Sequence, residues 1–229
     1  MIKPAVLTSA LLLAALVPVA EAIEEPSYEV VRQIDDRVEV RRYAPFVVAE
    51  VVLDARAADA GNQAFPILAG YIFGRNKGER KMQMTAPVTQ SAEPMKMAMT
   101  APVTQSAATG GMRVQFVLPR EVTLATAPEP LDPRVQLREE PAVVRAAIRY
   151  SGTWSQANYD EHLAKLQAAL RAARLGWTGE PTLARYNPPI TPWFMRRNEI
   201  WLALDADAIN DASTGGSATR GTPTRPLTH

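Results

Sequence analysis

Residues 28–53, YEVVRQIDDRVEVRRYAPFVVAEVVL, and residues 59–73, DAGNQAFPILAGYIF, decide the fold. Tyr28–Ile34 and Arg37–Tyr43 alternate apolar and polar side chains, the period of a half-buried strand. Asp35-Asp36 between them reads as a hairpin turn. Phe46–Leu53 is a Val-rich third strand. Asp59 is placed to cap a helix that runs to Phe73, where Gly74 stops it. The same order then returns. Strands are expected at Met112–Leu118, Val135–Arg138 and Ala142–Tyr150. Ser155 caps a second helix reaching about Leu175, with Gly176 at its C′ position. Leu183–Tyr186 and Glu199–Leu204 close the series. Two similar halves, each with one helix, predict a pseudo-twofold α+β domain. A strongly curved antiparallel sheet would bury both helical stripes.

Composition works mainly by exclusion. A hydrophobic share of 47% is that of a packed domain. Twenty-five basic residues against 24 acidic leave +1, so no charge surplus argues for nucleic acid. The chain has no Cys, which removes disulfides, thiolate metal sites and thiol nucleophiles. No Gly-rich phosphate loop or nucleophile triad is visible, and a non-enzymatic role is expected.

The ends read as non-domain segments. Residues 1–22 carry Lys3, an apolar run over Val6–Val17 and the small residues of Ala20-Glu21-Ala22, which is the pattern of a signal peptide. That run is too short to span a bilayer, so no stable membrane span is expected after cleavage. The mature chain would start at Ile23, in a periplasmic or secreted protein. From residue 205 to 229 the chain lacks the apolar side chains needed to offset ordering, and a disordered tail is expected. The domain is then 23–204.

The second helix has one apolar stripe, Tyr159, Leu163, Leu166, Leu170 and Ala173. His162 lies at its edge beside Glu161 and reads as a boundary residue. The first helix has two. Ala64, Ile67, Leu68, Tyr71 and Ile72 face one way; Asn62, Phe65, Ala69 and Phe73 face nearly the opposite way. Covering one Phe contributes roughly 1.5–3 kcal/mol, so a cover is expected: a loop of the chain, a partner or a flat apolar ligand. The loop Tyr186–Asn198 carries three prolines, an apolar tip of Trp193, Phe194 and Met195, and then Arg196 and Arg197. That suits a ligand with a greasy body and carboxylate arms. A structural loop whose arginines pair with Glu199 or other carboxylates fits the same residues.

Several segments occur in a specific order: Tyr28-Glu29-Val30, Val38-Glu39-Val40-Arg41-Arg42-Tyr43, Met84-Thr85-Ala86-Pro87-Val88, Tyr186-Asn187-Pro188-Pro189 and Arg196-Arg197-Asn198-Glu199-Ile200-Trp201. Together they resemble the SOUL heme-binding protein family across about residues 28–204. The resemblance implies a distorted antiparallel β-barrel with two flanking helices, and an exported carrier, scavenger or buffer of heme or a related porphyrin. It implies a groove beside the first helix that includes Asn62, Phe65 and Ala69, with Thr191–Arg197 as the opposite wall. Arg42 stands where some relatives carry an axial His, and Thr191 where some carry Lys. Binding through stacking, burial and Arg–carboxylate pairing is therefore expected, without the His ligand and without a protein metal site.

A repeat remains. Lys81–Ala92 recurs as Lys96–Ala107, differing only at Gln83 and Ala98. The intervening Ser and Pro suggest that the copies pair as a hairpin, and either copy fits the family-like segment. Met82, Met84, Met95, Met97 and Met99 offer soft thioethers suited to Cu(I), a rival function. Spacing of i, i+2 is also how a strand presents core residues, the favoured reading. A protein-interaction or effector module using the Phe65/Phe73 face is the third reading.

Overall fold

The computed structural model describes residues 23–78 and 94–205. Nine strands form one antiparallel sheet: β1 Tyr28–Gln33, β2 Val38–Tyr43, β3 Phe46–Leu53, β4 Val103–Ala108, β5 Gly111–Val117, β6 Gln136–Glu140, β7 Val143–Tyr150, β8 Trp177–Arg185 and β9 Asn198–Leu204. Helix α1 is Ala57–Ile72, between β3 and β4. Helix α2 is Gln156–Ala172, between β7 and β8. The sheet order is β1-β2-β7-β9-β8-β4-β5-β3-β6. About the central β8–β4 pair this order is symmetric: β2-β7-β9-β8 on one side matches β6-β3-β5-β4 on the other. Each half is strand, strand, helix, strand, strand. The pseudo-twofold α+β reading holds, and the sheet curls into a half-barrel with one helix packed on each half.

Each helix seals its own core. Ala60, Ala64, Leu68 and Ile72 of α1 meet Val47, Ala49 and Val51 of β3 and Val114 and Phe116 of β5. Leu166 and Leu170 of α2 meet Val144, Ala146 and Ile148 of β7 and Ile200 and Leu202 of β9. On the opposite sheet face, Tyr43, Ala147, Ala184, Tyr186 and Trp201 form a third cluster.

Several boundaries differ from expectation for local reasons. Helix α1 starts two residues before Asp59, with Arg56 as an N-cap that supplies no side-chain bond. Asp59 instead lies in the first turn and pairs with Arg56 at 2.8 Å, where its charge suits the helix dipole. Ser155 caps α2 as expected, accepting from the Asn158 N–H. The helix stops at Ala172, however, and Arg174 takes the left-handed position assigned above to Gly176. Strand β8 begins at Trp177, six residues early, because a bulge between Thr178 and Thr182 carries it past Gly179 and Pro181. His162 is buried, stacked on Tyr150 at 4.2 Å with Nδ1 2.8 Å from the Asn158 carbonyl.

The second repeat copy supplies β4. Residues 103–105 are paired on both edges, with β5 and with β8, so the two copies do not pair with each other there. Met97 is buried in the α1 core, and Met95 and Met99 pack against it. Met82 and Met84 of the first copy, the expected signal peptide at 1–22 and all but the first residue of the expected tail at 205–229 lie outside the described residues. Among the described residues no helix is long and apolar enough to cross a membrane.

Candidate functional site

A groove of about 470 Å³ opens along the N-terminal half of α1. Gly61, Asn62 and Phe65 form its first wall, Met99–Ala101 and Val103 its floor, and Arg185–Pro189 with Trp154 its second wall. Its volume falls within the roughly 300–1,000 Å³ of small-molecule sites, and its lining is predominantly apolar. Ile23 stands at its edge.

The sequence of α1 explains the first wall. Phe65 is 44% exposed. Its ring makes a T-shaped contact with buried Phe116, centroids 5.5 Å apart, which ties it to the core while the rest of the side chain lines the groove. Pro66 is inside the helix. It has no N–H to donate, so the carbonyl of Asn62 loses its usual i+4 partner within the groove wall. Gly61 makes room for a cation: a Cβ there would lie 3.0 Å from Arg185 Nη1.

Arg185 is the chemically distinctive residue. Its guanidinium lies over the Trp154 ring at 4.7 Å, and Arg196 covers the same ring at 4.3 Å. Its Nε is buried without a hydrogen-bond partner. Burial pushes its pKa below the ordinary arginine range; Tyr150 opposes this and the neighbouring Arg196 adds to it. The groove therefore holds an apolar surface and a cation whose Nε has no hydrogen-bond partner. That combination accepts an apolar body carrying a carboxylate.

The structure brings some of the expected residues together at the groove and places the others away from it. Asn62 and Phe65 line the groove. Ala69 does not: it is 7% exposed and belongs to the α1 core. Phe73 is exposed but lies beyond the groove. Trp193, Phe194 and Met195 form a 3-10 turn whose side chains are all more than half exposed, and none lines the groove. The same proline-rich loop supplies the second wall from its beginning, Tyr186–Pro189, instead of its tip. The two loop arginines are already engaged. Arg196 donates from Nε to the Thr191 carbonyl at 2.8 Å and from Nη2 to Pro189 at 2.7 Å, which holds the loop on itself. Arg197 pairs with Glu25 at 2.7 Å and Glu199 at 2.9 Å. Arg42 is on β2, half exposed and paired with Glu29 at 3.2 Å, away from the groove lining. Replacing it, Arg42→His, is expected to leave the absorption spectrum of added hemin unchanged; a sharpened Soret band from that variant would put position 42 at the iron.

Trp154 and Arg185 were not anticipated. Arg185 did carry a signal. It shares the helix-facing side of β8 with Leu183, two residues away, where an apolar side chain is expected. Trp154 sits in the short link before α2 and had no periodicity to reveal it.

The sequence pattern of the SOUL heme-binding protein family matches residues 23–203. Heme-binding protein 1 of Mus musculus is 27% identical over 158 residues, 69% of this chain and 77% of that protein. Heme-binding protein 2 of Homo sapiens is 27% identical over 193 residues, covering 80% and 87%. Among solved structures, the EcmrR C-terminal domain superposes with a TM-score of 0.48 at 11% identity, covering 78% of this chain and 98% of that one.

Proposed function

The chain belongs to the SOUL heme-binding protein family, and on that premise we propose that its groove binds a porphyrin-type tetrapyrrole. The observation that carries this reading is the open apolar slot between Phe65 and Tyr186–Pro189, with Arg185 in its lining. The macrocycle would lie against Phe65, and its carboxylate arm would meet the Arg185 guanidinium. Among the described residues the groove lining contains no His, so affinity rests on burial and charge pairing and is insensitive to the metal. Among the described residues no group of three or more His, Asp or Glu side chains is arranged for a metal ion. A carrier, scavenger or buffer needs no more than this, and we read the role as binding rather than catalysis. The leader-like residues 1–22 support an exported location, checked by the N-terminal mass of the protein recovered from the exported fraction.

Titrating hemin into residues 23–229 is the first test. A Soret shift with quenching of Trp154 emission is expected, and a spectrum equal to free hemin plus inert protein would overturn the proposal. Phe65→Asp places a carboxylate against the apolar face and should weaken binding by at least about tenfold. The fold should survive, because Phe65 is nearly half exposed. Phe73→Asp is expected to leave hemin binding unchanged. If Phe73→Asp disrupts it as strongly, the C-terminal end of α1 also belongs to the site.

A further inference from the structure

We infer that the two repeat copies are alternative occupants of one slot, so that residues 81–92 can replace residues 96–107 as the groove floor and β4. The contacts that seat the second copy are specific. Met97 is buried in the α1 core and its N–H donates to the Ile72 carbonyl at 2.9 Å. Thr100 Oγ1 donates to the Val117 carbonyl. The Ala101 N–H donates to Glu24 at 2.8 Å. Gln105 Nε2 donates to the Ala57 carbonyl at 2.5 Å. Each of these residues has an identical counterpart fifteen positions earlier: Met82, Thr85, Ala86 and Gln90. The only difference within the copies is Gln83 for Ala98, and position 98 is exposed.

The path into the slot is short enough. In the observed register the Gly78 and Met95 N–H groups both donate to Asn76 Oδ1, each at 3.0 Å. The two nitrogens are thus no more than about 6 Å apart, and two residues of extended chain reach about 7 Å. With the first copy seated, Arg80 takes the place of Met95, two residues after Gly78. The segment outside the slot, residues 79–94 in the observed register, is then residues 94–110 on the β4–β5 side, in place of the turn at Thr109-Gly110. Its length is nearly the same on either side, so closure entropy changes little. The register is biased by the flanks. Met95 packs on the core where Arg80 would stand, and Ala108 lies where Glu93 would stand. The second copy is therefore the resting occupant and the first a reserve. A copy tethered fifteen residues away also outcompetes one on another molecule at ordinary protein concentrations. Either register rebuilds the same floor, with Met84, Thr85, Ala86 and Val88 in place of Met99, Thr100, Ala101 and Val103.

The test uses Met97→Asp with Gln105→Pro, which bars the second copy from the core and from the sheet ladder. In the full chain these changes should leave a cooperative melt, lowered by several degrees. In a chain lacking residues 81–95 the unsubstituted protein should fold, because Arg80 then joins Lys96 directly. The two substitutions in that shortened chain should abolish the transition. Equal loss of the transition in the full and shortened chains overturns the inference, and so does failure of the shortened chain to fold unsubstituted. The register is read directly by adding Thr89→Cys and Gln115→Cys to the substituted full chain. Thr104 pairs with Gln115 in the observed sheet, so an intramolecular disulfide between positions 89 and 115 is expected. The natural chain has no Cys to compete. A crosslink found only between two molecules would overturn the intramolecular exchange.

Discussion

Glu199→Leu is expected to destabilise the domain by about 3–5 kcal/mol, the cost of leaving buried charge without its partner. Glu199 is fully buried at the start of β9. Its carboxylate accepts from Arg41 Nη1 at 2.7 Å, Arg197 Nε at 3.0 Å, the Tyr186 hydroxyl at 3.0 Å and Trp201 Nε1 at 2.8 Å. Two donors of the third cluster, Tyr186 and Trp201, and two arginines from outside it converge on this one acceptor. Removing it takes from Arg41, which is 3% exposed, its buried charge partner and leaves it the part-exposed Glu39 and the Tyr43 hydroxyl. It also releases Arg197, which fixes the start of β9 against Glu25. For a domain of this size the melting temperature should fall by about 10 °C or more. Glu199→Gln keeps the shape and tests the charge alone. If Glu199→Gln is as stable as the natural chain, the hydrogen bonds and not the ion pairs hold this cluster.

The same residue sets an acid limit. Burial alone would raise the Glu199 pKa, but the hydrogen bond and charge of Arg41, then Arg197 and Trp201, outweigh it and hold the carboxyl below its ordinary 4.5. A group lowered in the folded state contributes stability above its unfolded pKa and loses it as pH falls through the folded value. The natural chain should therefore lose stability steeply below about pH 4.5, whereas Glu199→Gln should show a shallower slope over the same range. Denaturant midpoints measured from pH 3 to 6 in both proteins decide it.

Which features could be read in advance follows from the range of the interactions that fix them. β1, β2, β3 and α2 were legible because their patterns are local: alternation over six to eight residues, or one stripe opened by Ser155. The pseudo-twofold followed, since it needs only the order of those elements. Ends set by distant partners were misplaced. β8 begins early because β9 pairs with Trp177 as well as with Leu183. Ala69 was read as a groove residue because it follows Phe65 by four positions. It is buried in the α1 core, whose members include Leu118, Val122 and Ala127 from the link after β5, residues that no local pattern in the helix could announce. Arg196 and Arg197 were read either as partners of a ligand's carboxylates or as partners of Glu199; Arg197 does pair with Glu199, two residues away, and the fold adds Glu25 from 172 positions away. The groove itself was half legible. Phe65 betrayed it as an aromatic on the wrong face, whereas its cation required the crossing of β8 past Gly61.

Arg185→Glu is expected to weaken binding of a dicarboxylate porphyrin by about 10- to 150-fold, because a hydrogen bond to a charged group contributes about 1.5–3 kcal/mol. On the proposed reading its guanidinium meets the ligand's carboxylate while resting on Trp154. Its Nε has no acceptor, and its stacking on Trp154 is shared with Arg196. A glutamate at 185 would gain Arg196 as a neighbour, so the variant should fold. The comparison that isolates the carboxylate arm uses the same porphyrin as its dimethyl ester. The ester should bind the natural chain and Arg185→Glu within about threefold of each other, since only apolar burial remains. Free-base, zinc and iron forms of the acid should all lose affinity to a similar degree, because no His among the described groove residues favours one metal. Two results would overturn the assignment. Equal loss for acid and ester would mean that Arg185 shapes the groove without touching the ligand. No loss for either would place the ligand's charge elsewhere, and the slot beside Phe65 would then hold an uncharged apolar molecule.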